Sequence, residues 1–196
     1  MSRFSEFPAH IERYVGRVRG AETKEIGDYV RSYHLVYCDH TGIHQAGNHQ
    51  DADYLSVLTS GLRDETAGAP LPQELIATAH AAQELHVRHL VAVIAELLAE
   101  SRSRVGYGAL IMNDRILLPD TQVCGALAAP HPHLDDDFDI VPDSTGAPAL
   151  QMITLVPITR AESQLVARYG RDALYDSWEN THTDLLDLKR PCSVNG

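Results

Sequence analysis

Histidine, cysteine, serine and aspartate stand in this chain where three kinds of chemistry would want them. Cys38, His40, His44 and His49 crowd one short stretch, and His131 and His133 precede Asp135, Asp136 and Asp137. Both groups hold the donor types that bind zinc. Their spacing argues against a site: no two histidines sit four apart on a predicted helix, and there is no Cys-x-x-Cys pair. The chain has 11 histidines, so some clustering arises by chance. Both groups read as surface or structural histidines, with no metal and no cofactor. A metal-assisted hydrolase built on His131, His133 and the aspartates is the alternative.

Nucleophilic catalysis fares no better. Ser60-Gly61 follows an apolar run, as a nucleophile turn would, but Thr59 occupies the place of the glycine that should precede the serine. Cys38 and His40, two residues apart at a strand end, read as a small buried hydrophobe and a solvated ring. No glycine loop of the phosphate-cradling kind is present. No catalytic residue is expected, and the chain is read as a non-enzyme.

Recognition is the third chemistry. Asp135, Asp136, Asp137, Asp139 and Asp143 put five carboxylates in one short loop bordered by Phe138 and Ile140. Such a loop is either a solvated acidic turn or a contact in which carboxylates meet lysines and arginines of a partner while the apolar residues seal the edge. The candidate protein-binding residues are Asp135, Asp136, Asp137, Phe138 and Asp139.

The elements that must hold these residues are clearest at the C-terminal end. Met152, Ile153, Leu155, Val156 and Ile158 form a short β-rich apolar run, which predicts a central strand. Pro157 is expected to end it, since proline donates nothing to a ladder. Thr159 stands three residues before Glu162, the capping-box spacing, so a helix begins at Arg160. Leu165, Val166 and Tyr169 predict its buried face, and Gly170 its end. A second helix follows with Ala173, Leu174, Ser177 and Trp178 inside and Asp172 and Asp176 outside.

Earlier in the chain, Ile11, Tyr14, Val15 and Val18 recur at helical spacing and predict a helix from Pro8 to Gly20. Strands are expected over Tyr29 to Cys38, Tyr54 to Leu58 and Gly125 to Ala129. Leu110 to Met112 with Ile116 to Leu118 suggests a hairpin, and Phe138 to Val141 an extended run. Segments 39–53 and 63–72 read as loop and turn. Strands outnumber helices and come in runs, so the fold class is α+β, a mixed and largely antiparallel sheet packed with helices. Propensity alone would make one long helix of Gln73 to Glu100.

The strand, the Leu155-Val156-Pro157-Ile158-Thr159 handover, the helix broken at Gly170 and the close Asp187-Leu188-Lys189-Arg190-Pro191-Cys192-Ser193-Val194 together resemble the suppressor of fused domain family. Leu58-Thr59-Ser60-Gly61-Leu62 followed by Gln73-Glu74-Leu75-Ile76 is similar to an upstream pair of the same family. The resemblance implies that Glu74 to Thr78 is a strand and that the helix runs only from about Glu84 to Glu100. Leu85, His89, Leu90, Val93, Ile94, Leu97 and Leu98 would then form its buried stripe, flanked by Val91 and Ala95. It also implies a protein-interaction module. Animal members restrain Gli-type transcription factors, and relatives of the compact bacterial type serve as immunity proteins beside polymorphic toxins, so an immunity protein neutralising a basic toxin is one form of the function the resemblance implies.

The totals bound the rest. At 196 residues and 44 % hydrophobic, one domain with one good core is expected. A net charge of −11 repels nucleic acid and anionic membrane and favours a basic protein partner. No run approaches bilayer length and the N-terminus lacks a signal-peptide core, so a cytoplasmic monomer is expected. Three scattered cysteines suit a reducing compartment.

Overall fold

A computed structural model describes residues 4–26, 32–39, 54–64 and 71–194. Helix α1 (Phe7–Tyr14) leads into strands β1 (Arg17–Glu25), β2 (Ser32–Asp39), β3 (Tyr54–Ser60) and β4 (Gln73–His80), which are followed by helix α2 (Glu84–Ser101). Then come β5 (Leu110–Met112), β6 (Val123–Ala129), β7 (Ile140–Pro142), β8 (Pro148–Thr159), α3 (Arg160–Tyr169) and α4 (Arg171–Asn180). The eight strands form one sheet in the order β1-β2-β3-β4-β8-β6-β5, with β7 also paired to β8. Among the described strands only β4 and β8 run parallel, joined by the long crossover that contains α2. The mixed, largely antiparallel α+β architecture expected from the sequence is the one observed.

β8 is the central strand. From Met152 to Thr159 every residue is buried, because α2 covers one face and the other helices cover the opposite one. On the first face Val87, Leu90, Val91, Ile94, Ala95, Leu98 and Ala99 of α2 pack on Leu75, Ala77, Ile153 and Leu155. The expected stripe is thus corrected by a rotation of the helix. Leu85 is 74 % exposed and Leu97 50 %, while Val91 and Ala95 sit at the centre of the contact. α2 is apolar around much of its circumference, so its period allows more than one face and the sheet selects among them.

The opposite face carries two apolar patches. One joins Phe7, Ile11 and Val15 to Cys38, Leu58, Ile76, Phe138, Val141, Leu150 and Met152. The other joins Leu127, Val156 and Ile158 to Leu174 and Trp178. Between them lies a polar seam in which the Ser56 and Thr78 hydroxyls are 2.6 Å apart and Thr78 bonds the His131 ring.

Several boundaries differ from expectation. α1 stops at Tyr14, because Gly16 turns the chain with φ near +115° and Arg17 onward pairs with β2. Pro157 does not end β8, which continues to Thr159. β4 pairs with β8 only as far as Thr154, and beyond it the Pro157 carbonyl accepts from Arg190 rather than from a strand, so the missing proline N–H breaks no ladder. The hairpin expected after Met112 does not form: β5 pairs with β6 instead. Phe138 and Asp139 belong to a 3-10 turn, not to a strand. The capping box is as read from the sequence, with the Thr159 hydroxyl accepting from the Glu162 amide and Glu162 answering at the Thr159 amide. Leu165 and Val166 of α3 are only half-buried and Tyr169 is exposed, so the buried face expected there narrows to Glu162.

Candidate interaction site

The acidic loop leaves the sheet at the end of β6 and returns through β7. The Phe138 amide donates to the Asp135 carbonyl at 2.8 Å, closing a 3-10 turn over Asp136–Asp139. This turn aims its residues in two directions. Asp135, Asp136 and Asp137 are exposed, whereas Phe138 and Asp139 are buried. Phe138 was expected to border the surface of the loop and is instead its anchor, because a 3-10 turn brings the apolar residue round to the sheet side. Its ring stacks on His10 at 5.7 Å and meets Tyr14 at 6.0 Å and His131 at 5.6 Å edge-on.

Asp139 is likewise turned inward. One of its oxygens accepts the His131 amide at 3.1 Å. Burial pushes its carboxyl up to about 6, against the pull of that amide, and the neighbouring Asp136 charge adds to the rise. Asp143, beyond β7, caps its own turn through the Thr145 amide and hydroxyl and the Ala147 amide. The loop therefore presents three carboxylates outward from a base fixed by an aromatic plug and a buried acid.

The described metal candidates, His131 and His133 with the aspartates, are not brought together as a ligand set. Among the described residues no three histidine, cysteine, aspartate or glutamate side chains gather into a possible ligand set. His131 accepts the His133 amide at Nδ1 and bonds Thr78 at Nε2, so both ring nitrogens are used. His40, His44 and His49 lie outside the described residues.

The nucleophile candidates are equally committed. The amides of Gly61, Leu62 and Arg63, which a nucleophile turn after Ser60 would offer to an oxyanion, all donate to the buried Glu74 carboxylate. The Thr59 hydroxyl and the Arg63 guanidinium donate to it as well. Burial pushes the Cys38 thiol up to about 12, so it holds its proton at neutral pH.

Two ion pairs built on fully buried carboxylates were not read from the sequence. Arg63 bonds Glu74 at 2.6 Å and stacks over Phe4 and Phe7. Glu162, fully buried, accepts both Arg190 terminal nitrogens at 2.7 and 3.0 Å, the Trp178 indole at 3.1 Å and the Ser193 hydroxyl at 2.8 Å. Burial would raise the Glu162 carboxyl, but Arg190, the Thr159 amide and Trp178 together hold it down at about 2. The Arg-Pro close at Arg190-Pro191 was the available signal, and nothing local in it names Glu162 as the partner.

Comparison with known proteins gives a consistent answer. The family model described as suppressor of fused protein matches residues 38–191. A suppressor of fused homologue from Neisseria gonorrhoeae FA 1090 superposes with a TM-score of 0.68 at 15 % identity, over 99 % of this chain and 98 % of its own. The structure of a Sufu–Fu complex gives 0.65 at 13 % identity, over 97 % and 92 %. Drosophila suppressor of fused gives 0.57 at 16 %, over 81 % of this chain and 42 % of that one. No curated protein sequence matches. Identity this low carries the shared fold and no more.

Proposed function

The chain belongs to the suppressor of fused family, and from that premise we propose that it is a non-catalytic protein-interaction domain whose contact with a basic partner runs through Asp135, Asp136 and Asp137. The supporting observation is the division of labour in the acidic turn, where Phe138 and Asp139 hold three carboxylates outward on a fixed base. A fixed base lowers the ordering cost of binding. The net charge of −11 favours encounter with a cation, and a structural relative was solved as a complex with another protein. An immunity protein that neutralises a basic toxin is the form of this function that the charge suits best. Its setting would be the cytoplasm, as a monomer; among the described residues no helix is long and apolar enough to cross a membrane.

The test begins with capture of the partner from the native host. Its affinity is then measured by calorimetry at low and high salt for the natural chain and for D135N/D136N/D137N. Exposed charge pairs contribute about 0.2–1 kcal/mol each, so losing three should weaken binding by about threefold to a hundredfold and flatten the salt dependence. Unchanged affinity in the triple variant would refute the assignment of this turn.

A further inference from the structure

Helix α1 lies ahead of the residues that the family model matches and covers an apolar face of the sheet. It has eight residues, too few to persist as a helix away from that face. Phe7, Ile11 and Val15 supply its apolar contact, and Gly16, with its positive φ, forms a pivot between it and β1. His10 ties the helix to the acidic turn through its side chain, with Nε2 at 2.8 Å from the Phe138 carbonyl. The ring is wedged between Tyr14 at 4.8 Å and Phe138, and the residue is 8 % exposed.

The neutral ring suits this site and the cation does not. Against a carbonyl acceptor, the Nε2–H of a neutral imidazole suffices, and a second proton adds charge where water is excluded. From its own helix the ring faces Tyr14 and the repelling Arg13. From the turn it faces Phe138, whose neighbour Asp139 is engaged by the His131 amide, and beyond Phe138 lies the His131 ring. No carboxylate among the described residues bonds His10.

We propose that α1 is a pH-released strap: protonation of His10 undocks Phe7–Tyr14 and uncovers the apolar face formed by Leu58, Ile76, Val141, Leu150 and Met152. Burial, reinforced by Arg13 and only partly offset by the Phe138 carbonyl, lowers His10 below 6.5 in the docked state. A group so depressed stabilises docking in full above pH 6.5, and that contribution is lost as pH falls below it. His133, also lowered by burial, acts in the same direction. Asp139, raised to about 6, acts oppositely, because its burial becomes easier as it gains a proton.

Amide hydrogen exchange of residues 7–14, corrected for the intrinsic pH dependence of exchange, reads undocking directly and needs no binding partner. Between pH 7.5 and 5.5 protection should fall, by up to about tenfold per pH unit where His10 alone titrates. His10→Gln, whose side-chain amide can still donate to the Phe138 carbonyl, should lose most of that fall, leaving the smaller, opposed contributions of His133 and Asp139. Asp139→Asn should keep or steepen the natural fall. Protection independent of pH in the natural chain, or a fall that persists undiminished in His10→Gln, would overturn the proposal, as would a fall that vanishes in Asp139→Asn.

Discussion

Removing Arg190 tests the reasoning about the buried C-terminal network most severely. Glu162 and Arg190 are 0 % and 6 % exposed. In Arg190→Met the carboxylate keeps the Thr159 amide, the Trp178 indole and Ser193 but loses its ion-pair partner, and the Pro157 carbonyl loses a donor. Breaking one side of such a pair costs about 3–5 kcal/mol. Arg190, the Thr159 amide and Trp178 together hold the carboxyl at about 2 against the burial that would raise it, so at neutral pH it is charged and would stand without its ion-pair partner in the variant.

Urea unfolding is the assay, and Trp178, the chain's one tryptophan, reports on the network because its indole donates to Glu162. Glu162→Gln keeps a side chain compatible with the capping box but strands the Arg190 charge. The double variant removes both charges and should cost less than the sum of the singles by about 2 kcal/mol. The depressed carboxyl also sets the sign with pH. Its contribution is complete above about 4.5 and is lost as pH falls toward 2, so the natural chain should lose stability across that window and Glu162→Gln should lose less. A cost below about 1 kcal/mol for Arg190→Met, with Trp178 emission unmoved, would refute the account.

Two further outcomes follow from packing. Gly125→Ala would press a methyl group against the Ile111 carbonyl and Met112 where β5 meets β6, and should cost about 1–3 kcal/mol in urea unfolding; a cost near zero would mean that β5 is not held there. Leu85→Lys and Leu97→Lys, on the outer side of α2, should each change stability by less than about 0.5 kcal/mol, and a large loss would mean that α2 packs on the face its period also allowed.

Where local backbone geometry alone decides, the chain is legible, although the α3 face expected from Leu165, Val166 and Tyr169 is not the one buried. The Thr159–Glu162 capping box and the Leu174–Trp178 face are relations between residues three or four apart, settled by backbone geometry before any other element arrives. The β-rich run of β8 is legible for the same reason. Propensity would have made Gln73 to Glu100 one helix. The Glu74–Leu75 pattern shared with the family separated the strand from α2.

Tertiary structure decided the questions that involve a distant neighbour. Which apolar face of α2 is buried depends on where the sheet lies, and several faces of that helix qualify. Pro157 is tolerated in mid-strand because β4 has already parted from β8 and Arg190 takes the free carbonyl. β1 exists because β2 offers it an edge. Phe138 turned inward because His10, from the opposite end of the chain, and His131 form its socket, so only Asp135, Asp136 and Asp137 of the candidate contact face outward. Glu162 carries its cap in the sequence, but its charge is matched by Arg190, 28 residues on, and only the folded chain brings them together.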